Sequence, residues 1–156
     1  MKLKSIISAI IMVATLCSCG AKKAVVNKEE LKKEAISYIS NVDNNNNLKK
    51  EVIEGALTDS EGFKDIGTFK YTVYFDVNSN KLFKIKNVEM TDKTITESYY
   101  FQDNELVYLK SVSGNDTKTI YLKKGRVVSE TNTTSDDQQV LLAKAKRFQN
   151  AFEKSH

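Results

Sequence analysis

The two cysteines of the chain, Cys17 and Cys19, have the most distinctive chemistry in the sequence, and they lie one residue apart after an apolar N-terminal run. A thiol pair could bind a metal, but structural zinc sites use four ligands and wider cysteine spacing. The only histidine, His156, is the last residue. A disulfide closed across one residue departs from ordinary bridge geometry. Metal and redox roles are therefore disfavoured for this pair.

The segment before the cysteines has the layout of a secretory signal. Lys2 and Lys4 are followed by an uncharged stretch that extends from Ser5 to Cys19. A basic start and an apolar run of about a dozen residues are typical of signal peptides. The run is too short for a membrane span, which needs roughly 20 apolar residues. We therefore predict that residues 1–18 are a signal peptide.

The end of this segment, Leu16-Cys17-Ser18-Cys19, resembles the lipobox of bacterial lipoproteins. The resemblance implies cleavage before Cys19, a diacylglyceryl thioether on its sulfur, and a further acyl chain such as palmitate on its freed amine. Residues 19–26 would form a lipidated tether. Because this tether lacks acidic residues, its resemblance to lipoproteins of diderm bacteria implies attachment to the outer membrane, facing the periplasm. Membrane lipid is thus the first expected partner.

The part that follows the signal has the size of one domain. Cleavage before Cys19 would leave 138 of the 156 residues, enough for a single core. Loss of Lys2 and Lys4 would reduce the 24 basic residues to 22, against 20 acidic ones. Because both signs of charge are interspersed, the sequence shows no basic footprint for nucleic acid. Nucleic acid is therefore not an expected partner.

Groups suited to catalysis are scarce after Cys19. The sequence has no internal histidine, no further thiol, no Gly-x-Ser-x-Gly motif and no phosphate-binding glycine loop. The pairs Glu29-Glu30 and Asp136-Asp137 fall at predicted helix starts, where the helix dipole accounts for them. We therefore expect no enzyme activity and no cofactor, although acid–base chemistry by carboxylates leaves a glycosidase-like enzyme as a third class.

A partial calcium-loop pattern begins at Asp43. Asn45, Asn47 and Glu54 fall at ligand positions of an EF-hand counted from Asp43. Leu48 occupies the position where glycine must make the sharp turn, so a solvated helix end is the better interpretation. No metal site is expected.

Hydrophobic spacing predicts a helix at each end of the domain. Asn27 is a suitable N-cap for the first helix, which the polar run from Asp43 to Asn47 would end. Apolar residues recur at helical spacing in both predicted helices: Leu31, Ala35, Tyr38 and Val42, then Leu141, Ala145, Phe148 and Phe152.

Between the helices the apolar period changes to two from Thr68 onward, with Asn, Asp and Gly turns at hairpin intervals. Residues 48–57 fit either a strand or a short helix, and we favour the strand. A change of parity between Ile85 and Val88 predicts a β-bulge near Asn87. The order predicts an α+β domain over residues 27–156, with an N-terminal helix, an antiparallel β-meander of about 6–7 strands and a C-terminal helix packed on the sheet. We expect both helices on one face.

Aromatic and lysine side chains on the predicted strands suggest a binding surface, because exposed aromatics often mark interfaces. The candidate residues are Tyr74, Phe83, Lys84, Lys86 and Tyr100. The alternative is that aromatics simply stabilise cross-strand pairs.

Together these patterns predict a membrane-anchored envelope lipoprotein with a small non-catalytic binding domain. A protein of the cell envelope is the second expected partner. An immunity or inhibitor lipoprotein that neutralises a toxin or a wall-degrading enzyme is the alternative.

Overall fold

The computed structural model describes residues 27–156, which form two helices and seven strands. In chain order these are α1 (Lys28–Asp43), β1 (Lys49–Thr58), β2 (Asp65–Asp76), β3 (Lys81–Met90), β4 (Thr94–Gln102), β5 (Glu105–Ser113), β6 (Asp116–Lys123), β7 (Arg126–Thr131) and α2 (Ser135–Ser155). The strands form one antiparallel sheet in sequence order. The predicted α+β meander is confirmed, and the ambiguous segment is strand β1. The predicted signal peptide, tether and Cys19 lie outside the described residues.

Both helices begin at side-chain caps. The Asn27 side chain accepts hydrogen bonds from the backbone N–H groups of Glu29 and Glu30, at 3.2 and 3.5 Å. At α2, the Thr134 hydroxyl accepts from the N–H of Asp137 at 3.1 Å, and the Asp137 carboxylate accepts from the N–H of Thr134 at 3.0 Å. These caps satisfy backbone donors that have no partner within the helix.

The main core lies between α2 and one face of the sheet. Register aligns five side chains across β2 to β6 on this face: Val73, Ile85, Tyr99, Leu109 and Ile120. Leu141, Ala145 and Phe152 of α2 are buried against them. Partners in antiparallel strands share a face, so this row is the apolar floor beneath α2.

The first helix packs on the opposite face, which corrects the expectation that both helices share one face. A second aligned row joins Tyr74 through Lys84 to Tyr100, Tyr108 and Tyr121. Val42 of α1 is buried with Tyr100 and Tyr108, and the Tyr38 hydroxyl donates to the Phe101 carbonyl. Successive strand residues point to opposite faces, so Tyr99 serves one core and Tyr100 the other.

The predicted bulge near Asn87 is wrong. The pairing of β3 with β2 and its pairing with β4 are both regular from Ile85 to Met90. The irregularity lies earlier in the strand, where Tyr74 pairs with Lys84 but Phe75 pairs with Leu82. Phe83 is the extra residue there. Asn87 faces α2 like Ile85 and is only 2% exposed, so a polar side chain at a core position caused the wrong interpretation.

Candidate functional site

The sheet brings the predicted surface residues together on the face that carries α1. They lie on β2, β3 and β4: Tyr74, Phe83, Lys84, Lys86 and Tyr100. Tyr74, Lys84 and Tyr100 are direct cross-strand partners. Only Lys86 is exposed, whereas Tyr100 is buried and the other three are partly buried.

Asp43, at the end of α1, is the centre of a polar cluster with two of these residues. Lys84 Nζ lies 2.6 Å from Asp43 Oδ1, and the Tyr100 hydroxyl donates to the same carboxylate at 3.0 Å. Lys84 Nζ also lies 5.3 and 5.0 Å from the ring centres of Tyr74 and Tyr100. Lys84 and Tyr100 therefore attach α1 to the sheet, which gives them a role in stability.

The pKa shifts of Lys84 and Tyr100 agree with this arrangement. Burial by itself lowers the pKa of Lys84, but hydrogen bonds with Asp43 and Tyr100 outweigh burial and raise it above 10.5. Burial raises the pKa of the Tyr100 hydroxyl, opposed by the nearby Lys84 ammonium. The Lys84 ammonium thus stays charged at neutral pH, 2.6 Å from the Asp43 carboxylate.

The accessible part of the face is an open groove of about 480 Å³ beside α1. Lys86 pairs with Ser98, and Ser98 pairs with Lys110, on three adjacent strands. Both lysines are exposed, and neither forms an ion pair with any residue from 27 to 156. Ile36 and Ile39 of α1 form an apolar wall. The groove thus combines two unpaired cations with apolar surface.

Sequence reasoning did not single out Ser98, Lys110, Ile36 or Ile39, which all line the groove. The alternation of β5 already placed Lys110 on the same face as Tyr108. The apposition of Lys110 and Lys86, however, depends on two strand pairings. A period-two pattern gives the face of a residue but not its neighbours in the adjoining strands.

A second polar region lies on the α2 face, where the apolar floor ends. Asn87, Glu97, Ser111 and Lys118 align across β3 to β6. The last three line a cleft of about 560 Å³ beside the first half of α2. Polar groups at such positions must be hydrogen-bonded or paired to be tolerated.

Lys144 of α2 supplies most of that pairing. Its Nζ lies 2.8 Å from Glu89 Oε1 and 2.9 Å from Glu97 Oε1. The Asn87 amide donates to the same two carboxylates at 2.9 and 3.0 Å. Burial opposes ionisation of Glu89, but the bonds from Lys144 and Asn87 hold its pKa below 4.5. Glu89 is thus held as a paired anion, which suits a structural role better than proton transfer.

The lining of this cleft also contains an ion pair. Lys118 Nζ lies 2.6 Å from Asp137 Oδ1. This contact and the capping bonds from Thr134 lower the pKa of Asp137 to about 2. The cap of α2 therefore also attaches the start of the helix to β6.

The partial calcium-loop pattern does not assemble. Asp43 contacts Lys84 and Tyr100, while Glu54 lies in β1 and pairs with Lys70 at 2.6 Å. In the chain from residue 27 onward, no group of three or more His, Cys, Asp or Glu side chains could hold a metal ion. The strand beginning at Lys49 keeps Glu54 away from a loop.

Comparison with known proteins found no matching family model, no matching curated protein and no matching solved structure. Neither of the helices described between residues 27 and 156 is long and apolar enough to span a membrane.

Proposed function

We propose that the chain is a bacterial lipoprotein, anchored through acylated Cys19, whose domain binds a phosphate-bearing component of the cell envelope and has no catalytic role. Residues 1–18 would be the signal peptide and residues 19–26 the tether. The outer membrane, on its periplasmic side, is the proposed location. The lipobox at Leu16-Cys17-Ser18-Cys19 supports the anchor.

The observation that carries the binding role is the apposition of Lys86 and Lys110 on either side of Ser98. Their Cα atoms lie two strand spacings apart, roughly 10 Å. Two cations held on rigid strands, with a hydroxyl between them, match successive anionic groups or one bulky headgroup. The apolar wall of Ile36 and Ile39 favours a ligand that also has carbon-rich parts.

The two sources of such a ligand are anionic lipid headgroups and a phosphate-bearing envelope polymer. In contrast to the groove lysines, Glu89 and Glu97 are already bound by Lys144 and Asn87. That pairing supports binding over catalysis, since a general base needs a free site for its proton.

The anchor is tested by labelling cells with radioactive palmitate. Wild type and Cys17→Ser should incorporate the label, because the lipobox places acylation on Cys19 alone. Cys19→Ala should lose it. Label retained in Cys19→Ala would contradict the anchor.

Binding is tested with the lipidated protein purified in a non-ionic detergent. It is titrated with inorganic polyphosphate and, separately, with micelles that contain phosphatidylglycerol. The Lys86→Gln/Lys110→Gln variant should bind one of the two at least tenfold more weakly, because each lysine near an anionic surface contributes about 1 kcal/mol.

The matched control is Lys64→Gln/Lys146→Gln, which removes two exposed lysines outside the groove. Its affinity for either probe should fall by less than threefold. Equal losses in the two variants, or no binding of either probe by wild type, would overturn the groove as the binding site. Loss for one probe alone identifies the source of the phosphate.

A further inference from the structure

The loop between β1 and β2 presents an aromatic side chain to solvent. Phe63 is 88% exposed, more than any other large apolar residue in the described part of the chain. Aromatic side chains are usually buried, and an isolated one on a loop tip suits insertion into a partner.

This loop is ordered by its own hydrogen bonds. The N–H of Asp59 donates to the Lys64 carbonyl at 2.9 Å, and the N–H of Gly62 donates to the Asp59 carbonyl at 3.0 Å. The Asp59 carboxylate also accepts from the N–H of Phe63 at 3.0 Å. Gly62 has a φ of +79°, which a side chain would disfavour. A loop held in this way loses little conformational entropy on binding.

A β-bulge adds a second apolar side chain. Leu57 pairs with Gly67 but Thr58 pairs with Asp65, which leaves Ile66 as the extra residue. Ile66 is 48% exposed. Bulges change the direction in which side chains point and are common beside functional sites.

The charge around these apolar groups is negative. Three carboxylates, Asp59, Glu61 and Asp65, surround Phe63 together with a single lysine, Lys64, so the formal charge of the tip is −2. An acidic tip is repelled by an anionic membrane surface. The same charge complements a basic protein surface, because potentials of opposite sign favour association.

We infer that the β1–β2 tip docks on a second protein, with Phe63 inserted into an apolar pocket that has a basic rim. This surface is distinct from the lysine groove and goes beyond the proposed function, since its partner is a protein. The turn lies at the end of the sheet opposite the β2–β3, β4–β5 and β6–β7 turns. Lys86 pairs with Thr72, which is seven residues along β2 from Asp65, so the tip and the groove lie roughly 24 Å apart along the strand.

The partner is identified by photocrosslinking in cells that express the full chain. A photoreactive benzoylphenylalanine replaces Phe63 or, as a control for surface exposure, Val140 on α2, which is 61% exposed. A protein captured from position 63 alone is purified and titrated with the lipidated wild type. Capture by itself does not support the inference; the titration decides.

Phe63→Ala should weaken this binding at least 30-fold, while Val140→Ala should stay within twofold of wild type. Asp59→Ala, which keeps the ring but removes the acceptor for the N–H of Phe63, should give an intermediate loss. Raising the salt concentration should weaken wild-type binding. Lys86→Gln/Lys110→Gln should leave it unchanged, which separates this test from that of the groove.

Three outcomes would overturn the inference. Phe63→Ala could bind the partner as wild type does, or position 63 could crosslink only to further copies of this chain. Lastly, wild type could sediment with phosphatidylglycerol vesicles while Phe63→Ala does not, and the tip would then be a membrane-binding site. Thermal melting of Phe63→Ala should match wild type, because so exposed a ring contributes little to the core.

Discussion

The ammonium group of Lys144 on α2 lies 2.9 Å from the carboxylate of Glu97 on β4, whose side chain is only 4% exposed. The same ammonium lies 2.8 Å from Glu89 on β3. A polar connection thus replaces the apolar core in the cross-strand row next to the one that contains Ile85 and Tyr99. Removing one partner of a buried pair strongly destabilises the folded protein, because the other charge is left buried without compensation.

We therefore expect Lys144→Met to lower the free energy of unfolding by about 3–5 kcal/mol. Lys144→Met/Glu97→Gln should recover part of that loss, since no unpaired carboxylate then remains at position 97. Urea unfolding measures both variants and the single variant Glu97→Gln. Lys81→Met is the control, because the Lys81–Asp103 pair is exposed and contributes at most about 1 kcal/mol. Strict additivity of the two single losses would contradict coupling between Lys144 and Glu97.

Acid should destabilise the domain partly through Glu89. Its folded pKa lies below 4.5, because hydrogen bonds from Lys144 and Asn87 outweigh the opposing effect of burial. The unfolded chain therefore binds the proton more readily than the folded one. The stabilisation is fully present above pH 4.5 and is lost as the pH falls through the folded pKa.

Comparison with Glu89→Gln isolates this contribution from the other carboxylates whose pKa is lowered. The difference in the free energy of unfolding between wild type and variant should be constant from pH 6 to 8 and should shrink below about pH 4.5. If the difference in the free energy of unfolding grew towards low pH, the folded pKa of Glu89 would be raised and not lowered.

Asp43→Ala should loosen α1. The substitution removes the carboxylate that binds Lys84 Nζ and the Tyr100 hydroxyl. Partly buried polar groups without partners cost about 1–3 kcal/mol. Chemical denaturation should show this loss, and amide exchange in α1 should accelerate more than in α2. Glu54→Ala, at an exposed ion pair, is the matched control and should change stability by less than about 1 kcal/mol.

Gly67→Ala should disturb the pairing of β2 with β3. A Cβ atom at position 67 would lie 2.1 Å from the Met90 carbonyl oxygen, which belongs to the backbone and cannot rotate away. We expect a loss of about 1–3 kcal/mol or more. Gly55→Ala is the comparison, because its nearest obstacle is the Phe69 ring at 2.7 Å, a side chain that can move. Equal losses at the two positions would show that the backbone contact is not decisive.

Much of the architecture could be predicted because its signals are local. The alternation in β2, the Asn27 cap and the helical spacing of Leu141, Ala145 and Phe152 each depend on residues close together in the chain. Asn87 shows the limit of that reasoning. Its polarity in the sequence predicts a bulge, whereas in the structure Lys144, far away in the sequence, makes a buried amide acceptable next to Glu89 and Glu97.

The candidate surface was predicted only in part for the same reason. The five candidate residues share one face of the sheet: Tyr74, Phe83, Lys84, Lys86 and Tyr100. Strand alternation predicts this for all of them except Phe83, which is the extra residue of a bulge. That α1 covers Tyr100 and Lys84 follows from Asp43, which precedes Lys84 by 41 residues. The exposed Phe63 gave no periodic signal, since it lies in a turn.

The sequence by itself determined the order and type of the elements, because hydrophobic period, caps and turn residues act over a few neighbouring positions. The tertiary structure alone decided which helix covers which face, which lysines remain accessible in the groove, and which charges are paired in the interior. Those outcomes depend on contacts between distant segments, such as Lys144 with Glu89, 55 residues apart. A local pattern contains no information about which distant partner will meet a given side chain.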